Sequence, residues 1–235
     1  MTEPPASATA LPWPDFSRPA RPTPDPRYSN ITHGSDRFER TEPCVMGRPE
    51  PSPARLSDPT TSEGNHMQGL IGQPMRRGAA FSDCGRYRYR LGRAWDETLP
   101  AATFIMLNPS TADGAVDDPT IRRCIGYARA WGCGSLSVVN LYAWRATDPA
   151  ELTAATDPVG PANDDFIAAA ATVAARTGAP LVAAWGAHAR PERIAGVLAL
   201  PGMSRLTALA CTKSGQPRHP LYLPAGLTPR PWSQP

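Results

Sequence analysis

From residue 102 onward, short apolar runs alternate with stretches of helical period. The runs 102–107, 136–141, 180–185 and 206–210 lack polar alternation, which is how strands buried on both faces of a parallel sheet read. Between them, Asp118-Pro119 opens a segment in which Ile121, Cys124, Ile125 and Ala128 form an apolar stripe. Asp118 suits an amino-terminal cap, Pro119 the first helical position, and Gly132 and Gly134 a stop. A second helix is predicted over 161–177, with Phe166, Ile167, Ala170, Val173 and Ala174 inward, and a third over 191–200. Tyr87-Arg88-Tyr89-Arg90-Leu91 alternates with period two, as a half-exposed strand does. The alternation predicts an α/β fold, three-layered α/β/α, with a four-stranded, mostly parallel central sheet and an antiparallel edge strand at 86–91. The segment 142–149 is expected to be a long polar-tipped loop.

Composition sets the outer limits of that domain. Residues 1–75 are crowded with proline, as in Pro22-Thr23-Pro24-Asp25-Pro26, and sustain no apolar period. Such a segment cannot bury enough surface to offset its ordering entropy and is expected to be disordered. Met67 and Met75 precede the first well-patterned residues and offer later translational starts. The ordered domain is expected over 79–224, with a proline-rich tail over 225–235. No signal-peptide pattern and no membrane-length apolar run occurs, so the expectation is a cytoplasmic protein without a membrane partner. Five cysteines with no Cys-x-x-Cys spacing point to neither a disulfide framework nor a thiolate zinc site. A net charge of +3 neither announces nor excludes a nucleic-acid binder.

Candidate chemistry gathers at the carboxyl ends of the four runs, which a parallel sheet places on one rim. They deliver Asn108-Pro109-Ser110-Thr111, then Asn140 with Arg145, then Trp185-Gly186 with His188, then Lys213 with Arg218 and His219. Asn108 before a proline suits an Asx turn or a functional amide. Ser110 and Thr111 suit turn caps or ligand contacts. Asp113 and Asp117 suit solvated loop acids or a metal or water site. Arg122 and Arg123 fall in the first turn of a helix, against its dipole; a phosphate would explain one of them, and so would a salt bridge to Asp117 or Asp118. Trp185 suits the core or a stacking wall. His219, between Pro217 and Pro220, stands on stiff backbone suited to proton transfer or to stabilising a developing anion. Cys211 is the thiol nearest this rim. Gly-x-Gly-x-x-Gly, the P-loop and Gly-x-Ser-x-Gly are absent, and no cofactor is expected.

Several separated blocks together resemble the bacterial and phage family of unknown function numbered 1643. They are 81–89, 105–113, 117–124, Val139-Asn140-Leu141, Ala146-Thr147-Asp148-Pro149, Ala184-Trp185-Gly186 and 215–223. A more distant resemblance is to the uracil-DNA glycosylase superfamily. Leu107-Asn108-Pro109-Ser110 is similar to the Gly-hydrophobic-Asn-Pro-Gly motif of its mismatch-specific branch, and His219-Pro220 to its His-Pro-Ser motif. Trp185-Gly186 falls where those enzymes often carry Leu-Gly. Met106 and Ser110 stand in place of motif glycines, and Leu221 in place of the serine. This resemblance implies a glycosylase-like topology in which Asn108 orients water and His219 hydrogen-bonds the departing base. Pro109, Ser110, Thr111, Asp113, Arg122, Arg123, Asn140, Arg145, Trp185, Lys213 and Arg218 are then the candidate substrate contacts. The expected partner is a nucleobase, nucleotide or DNA. Two rivals stand beside it: a non-catalytic nucleotide or nucleic-acid binding module, and a metal-assisted hydrolase using Asp113, Asp117 and His219.

Overall fold

The computed structural model describes residues 75–110 and 116–234. The proline-rich leader falls outside this range, as do Thr111 and Asp113. Seven strands form one sheet: β1 (Arg76–Phe81), β2 (Arg88–Ala94), β3 (Ala101–Met106), β4 (Ser135–Asn140), β5 (Leu181–Ala183), β6 (Leu206–Ala208) and β7 (Arg230–Pro231). Four helices lie between them: α1 (Pro119–Ala130), α2 (Pro149–Ala154), α3 (Asn163–Thr177) and α4 (Pro191–Leu198).

The strand order is β1-β2-β4-β3-β5-β6-β7. β4, β3, β5 and β6 are mutually parallel, so the four apolar runs do form the centre. The alternating strand is β2, yet it is not the edge. It pairs antiparallel with β4 on one side and with β1 on the other. Beyond β6, β7 adds a short antiparallel pairing, so the tail contributes to the sheet.

Why the central strands are apolar throughout is visible in their packing. Phe104, Met106, Leu136, Val138 and Val182 join Ile121, Cys124, Ile125 and Ala128 of α1 in one buried cluster. Their sequence neighbours Ile105, Val139, Leu181 and Ala183 join Ile167, Ala170, Ala171 and Ala174 of α3 and Ile194 and Val197 of α4 in another. Successive side chains of a strand leave opposite faces, so both faces are covered.

The helices start and stop close to their sequence signals, with local differences. Asp118 caps α1 by accepting from the Ile121 N–H at 2.8 Å, and Pro119 occupies the first turn. α3 ends at Gly178, whose φ of 68° is left-handed. Its buried apolar set is Ile167, Ala170, Ala171 and Ala174, the spacing of one helical face, and Val173 falls off that face into solvent. Phe166 instead stacks on Tyr89, ring centroids 5.0 Å apart, beneath the β1–β2 hairpin. α2 follows the long loop and was not signalled by any apolar period. Among the described residues no helix is long and apolar enough to cross a membrane.

Candidate functional site

The rim loops are tied to one another before any ligand enters. After β3 and β4 part, Leu141 N–H donates to Met106 O at 2.8 Å, Tyr142 N–H to Leu107 O at 2.9 Å, and Ala146 N–H to Pro109 O at 3.1 Å. The ladder between the strands therefore continues as loop-to-loop bonds. Asn108 closes this seam: its Nδ2 donates to Ala146 O at 2.9 Å and to Pro109 O at 3.2 Å. Both partners are carbonyl acceptors, so the end facing them must be the NH2 group. Among the described residues no donor takes the Oδ1 acceptor, the other end of a side chain whose orientation is fixed.

The other half of the rim is built the same way. Thr212 N–H donates to Gln216 O and Arg218 N–H to Ala210 O, each at 2.8 Å, folding 211–217 into a tight turn. Gly186 N–H reaches Pro217 O at 2.8 Å, and Trp185 Nε1 reaches Gln216 Oε1 at 3.2 Å. The end of β5 thus holds the loop that presents His219. Pro220 after it keeps His219 extended, at φ −68° and ψ 135°.

Between these loops lies a cleft of about 620 Å³. Of the candidate residues, Asn108, Ser110, Asn140, Trp185, Arg218 and His219 line it, as does His188. Asn140 and Trp185 are 3 % and 2 % exposed. Trp185 meets Trp232 of the tail edge-on at 5.2 Å. Ser110 Oγ and His219 Nδ1 are buried atoms without a hydrogen-bond partner among the described residues. Burial pushes the His219 imidazole below its usual range, and the nearby Asp118 carboxylate works against that shift.

Other candidates are placed elsewhere. Pro109 is buried under the loop seam, where it serves through its carbonyl. Arg145 donates to Gly85 O at 3.1 Å and lies over the Phe81 ring, holding the hairpin rather than lining the cleft. Lys213 is exposed on the 211–217 turn, off the cleft, and Cys211 is exposed beside it. Asp117 turns away entirely. Its Oδ1 accepts from Arg93 Nε at 2.7 Å and its Oδ2 from Arg77 Nη2 at 3.3 Å. Both carboxylate oxygens are engaged by arginines, so the metal-hydrolase reading loses one of its three ligands. No cluster of three metal-binding side chains occurs among the described residues. Arg122 and Arg123 line a separate groove on α1, beside the cleft.

Two charged residues that line the cleft were not among the candidates. Arg88 is 5 % exposed and lines the cleft from the start of β2. Burial, helped by the Arg145 charge, lowers its pKa to about 10, while Asp118 acts the other way. The only signal was an arginine alternating with tyrosines, which reads as solvent-facing. Asp118, read as a helix cap, also lines the cleft. One carboxylate therefore ends a helix and sets the local field.

A family model described as "Protein of unknown function (DUF1643)" matches residues 88–221. The chain belongs to the DUF1643 family. The DUF1643 match starts at β2 and runs through the loop that carries His219, so it contains every described residue lining the cleft except Tyr222. No curated protein matches the chain. No solved structure matches it.

Proposed function

We propose that the chain is an enzyme acting on a nucleobase or nucleotide, and that its reaction is hydrolysis of an N-glycosidic bond. In this reading the fold is a three-layer α/β/α arrangement of glycosylase type, and the base enters the cleft beside Trp185. Asn108 Oδ1 accepts a hydrogen bond from the attacking water, which forms a bond to C1′ as the bond to the base nitrogen breaks. The base leaves with the electron pair and His219 hydrogen-bonds the charge that develops on it, while the proton lost by the attacking water passes to solvent and the departed base is protonated in turn. The observation that carries the reading is the double tie of the Asn108 amide nitrogen to Ala146 O and Pro109 O. An amide fixed by its nitrogen end offers an acceptor at a set place, and positioning a water asks for that.

The test is to incubate the full chain with oligonucleotides carrying uracil, mismatches and modified pyrimidines, and to score abasic sites. Wild type should release a base, and Asn108→Ala should lose about 100-fold or more of the rate, as removal of a key polar group from a site does. Ligand binding without release, unchanged by Asn108→Ala, would replace the enzyme with a binding module.

A further inference from the structure

We infer that the groove beside the cleft holds the phosphodiester backbone of a polynucleotide, so that the base in the cleft arrives on a strand rather than as a free nucleotide. This rests on the reading that the cleft takes a nucleobase.

The first turns of α1 divide their residues between the two cavities. Asp118, Thr120 and Ile121 line the cleft, while Pro119, Arg122 and Arg123 line the groove of about 470 Å³. The turn Pro220–Tyr222 is the second partition: His219 and Tyr222 face the cleft and Leu221 faces the groove. A strand seated in the groove is therefore one helix turn from the cleft.

The groove carries two arginines, and their structural contacts leave the charges unneutralised by any acidic side chain among the described residues. Arg122 donates to Asp117 O and Arg123 to Leu223 O, both backbone carbonyls. Neither makes an ion pair with an acidic side chain among the described residues, and the first turn of α1 holds no acid. The salt bridge to Asp117 or Asp118 that would have explained them is not made: Asp117 is engaged by Arg93 and Arg77, and Asp118 caps the helix. Two positive charges stand near a helix start whose dipole disfavours them, which an anion would reverse.

Gly126 lines the same groove, in the interior of α1. Glycine weakens a helix interior, yet a Cβ at this position would meet nothing within 4 Å. Packing inside the chain does not require it. A smooth floor one turn beyond Arg122 and Arg123 suits close approach of a sugar-phosphate chain, with Tyr127 as a wall. From Pro119 to Ala130 the helix rises about 16 Å, room for several successive phosphates.

The experiment measures anisotropy of a labelled 20-nucleotide single-stranded DNA with the full chain across a salt series. Poly-glutamate serves as a polyanion lacking phosphodiesters. Wild type should bind the DNA more weakly as salt rises. Arg122→Ala/Arg123→Ala should weaken binding about tenfold and flatten the logarithmic salt slope by about 1.4. Because Arg123 also holds the 223 carbonyl, Gly126→Glu is the control for folding. It fills open space with a better helix former, so its melting temperature should not fall, yet its binding should drop at least fivefold. Gly126→Lys should strengthen binding. The inference is overturned if wild type does not bind DNA, if poly-glutamate binds equally well, or if Gly126→Glu and Gly126→Lys bind alike. Base release from a free nucleoside without strand binding overturns the groove alone, and strand binding without base release overturns only the hydrolytic reading.

Discussion

Arg93 is fully buried on β2, and its Nε donates to Asp117 Oδ1 at 2.7 Å, joining the hairpin to the loop that leads into α1. Arg93 Nη1 also donates to Gly92 O at 2.8 Å. A buried guanidinium needs this counter-charge, so Asp117→Ala should destabilise the chain by about 3–5 kcal/mol in denaturant titration. Asp117→Asn should cost less, because it keeps an acceptor. Equal stability of wild type and Asp117→Ala would show that the pair does not hold the hairpin.

The same pair sets an acid limit. Burial pushes the Asp117 carboxyl up, but the bonds and charges of Arg93 and Arg77 outweigh it and hold the group below its usual range. Its folded pKa is therefore depressed. The associated stability is present above the unfolded value of about 3.9 and is lost as pH falls through the folded value. Melting temperature measured from pH 7 to pH 2.5 should drop in the acid range, and the drop should shrink in Asp117→Asn.

His219 gives a second titration. Burial depresses its pKa, so its contribution to stability is present above about 6.5 and is lost as pH falls through the lower folded value. Asp118 opposes the depression. Asp118→Asn removes that charge while keeping a good helix cap, so the His219 proton resonance should titrate still lower in that variant. A midpoint that stays put would mean the two groups are not coupled.

Trp232 carries a prediction about the tail. It meets Trp185 edge-on, and its Nε1 donates to Gly215 O at 2.9 Å. Trp232→Ala should cost about 2 kcal/mol and change the tryptophan emission through Trp185. An unaltered spectrum and melting curve would make the tail incidental to the cleft wall.

Gly202 has φ 87°, and a Cβ there would lie 2.6 Å from the Ala171 carbonyl carbon and the Thr172 nitrogen of α3. Backbone cannot retreat as a flexible side chain can. Gly202→Ala should therefore cost about 3 kcal/mol in a thermal or denaturant melt.

The parallel centre was legible because strands buried on both faces have no choice but continuous apolar sequence, and α1 because Asp118-Pro119 states its own start. β7 was not legible. Arg230 and Pro231 carry no strand pattern and are placed by what surrounds them, with Trp232 N–H donating to Leu206 O at 3.1 Å. β1 mixes arginine, glycine and alanine and acquires its form from β2. At the rim, strand ends alone were enough to bring Asn108, Asn140, Trp185 and His219 together. Arg88 was hidden because alternation implies one wet face, whereas β2 is buried on both faces along nearly its whole length. That Arg122 and Arg123 turn to the groove and not to the cleft depends on a single helical step, and a stripe of apolar residues fixes that step only for the buried side.

The parallel strands that carry the cleft are not the edge strands of the sheet; among the described residues β1 and β7 are. β7 is two residues long, one of them a proline with no N–H to offer, and Arg230 beside it carries a charge. β1 opens with Arg76 and Arg77, both exposed. Neither border presents a long, neutral row of open amides and carbonyls for a neighbouring molecule to zip onto. Among the described residues, extension of this sheet from one molecule into the next is thereby discouraged at both edges.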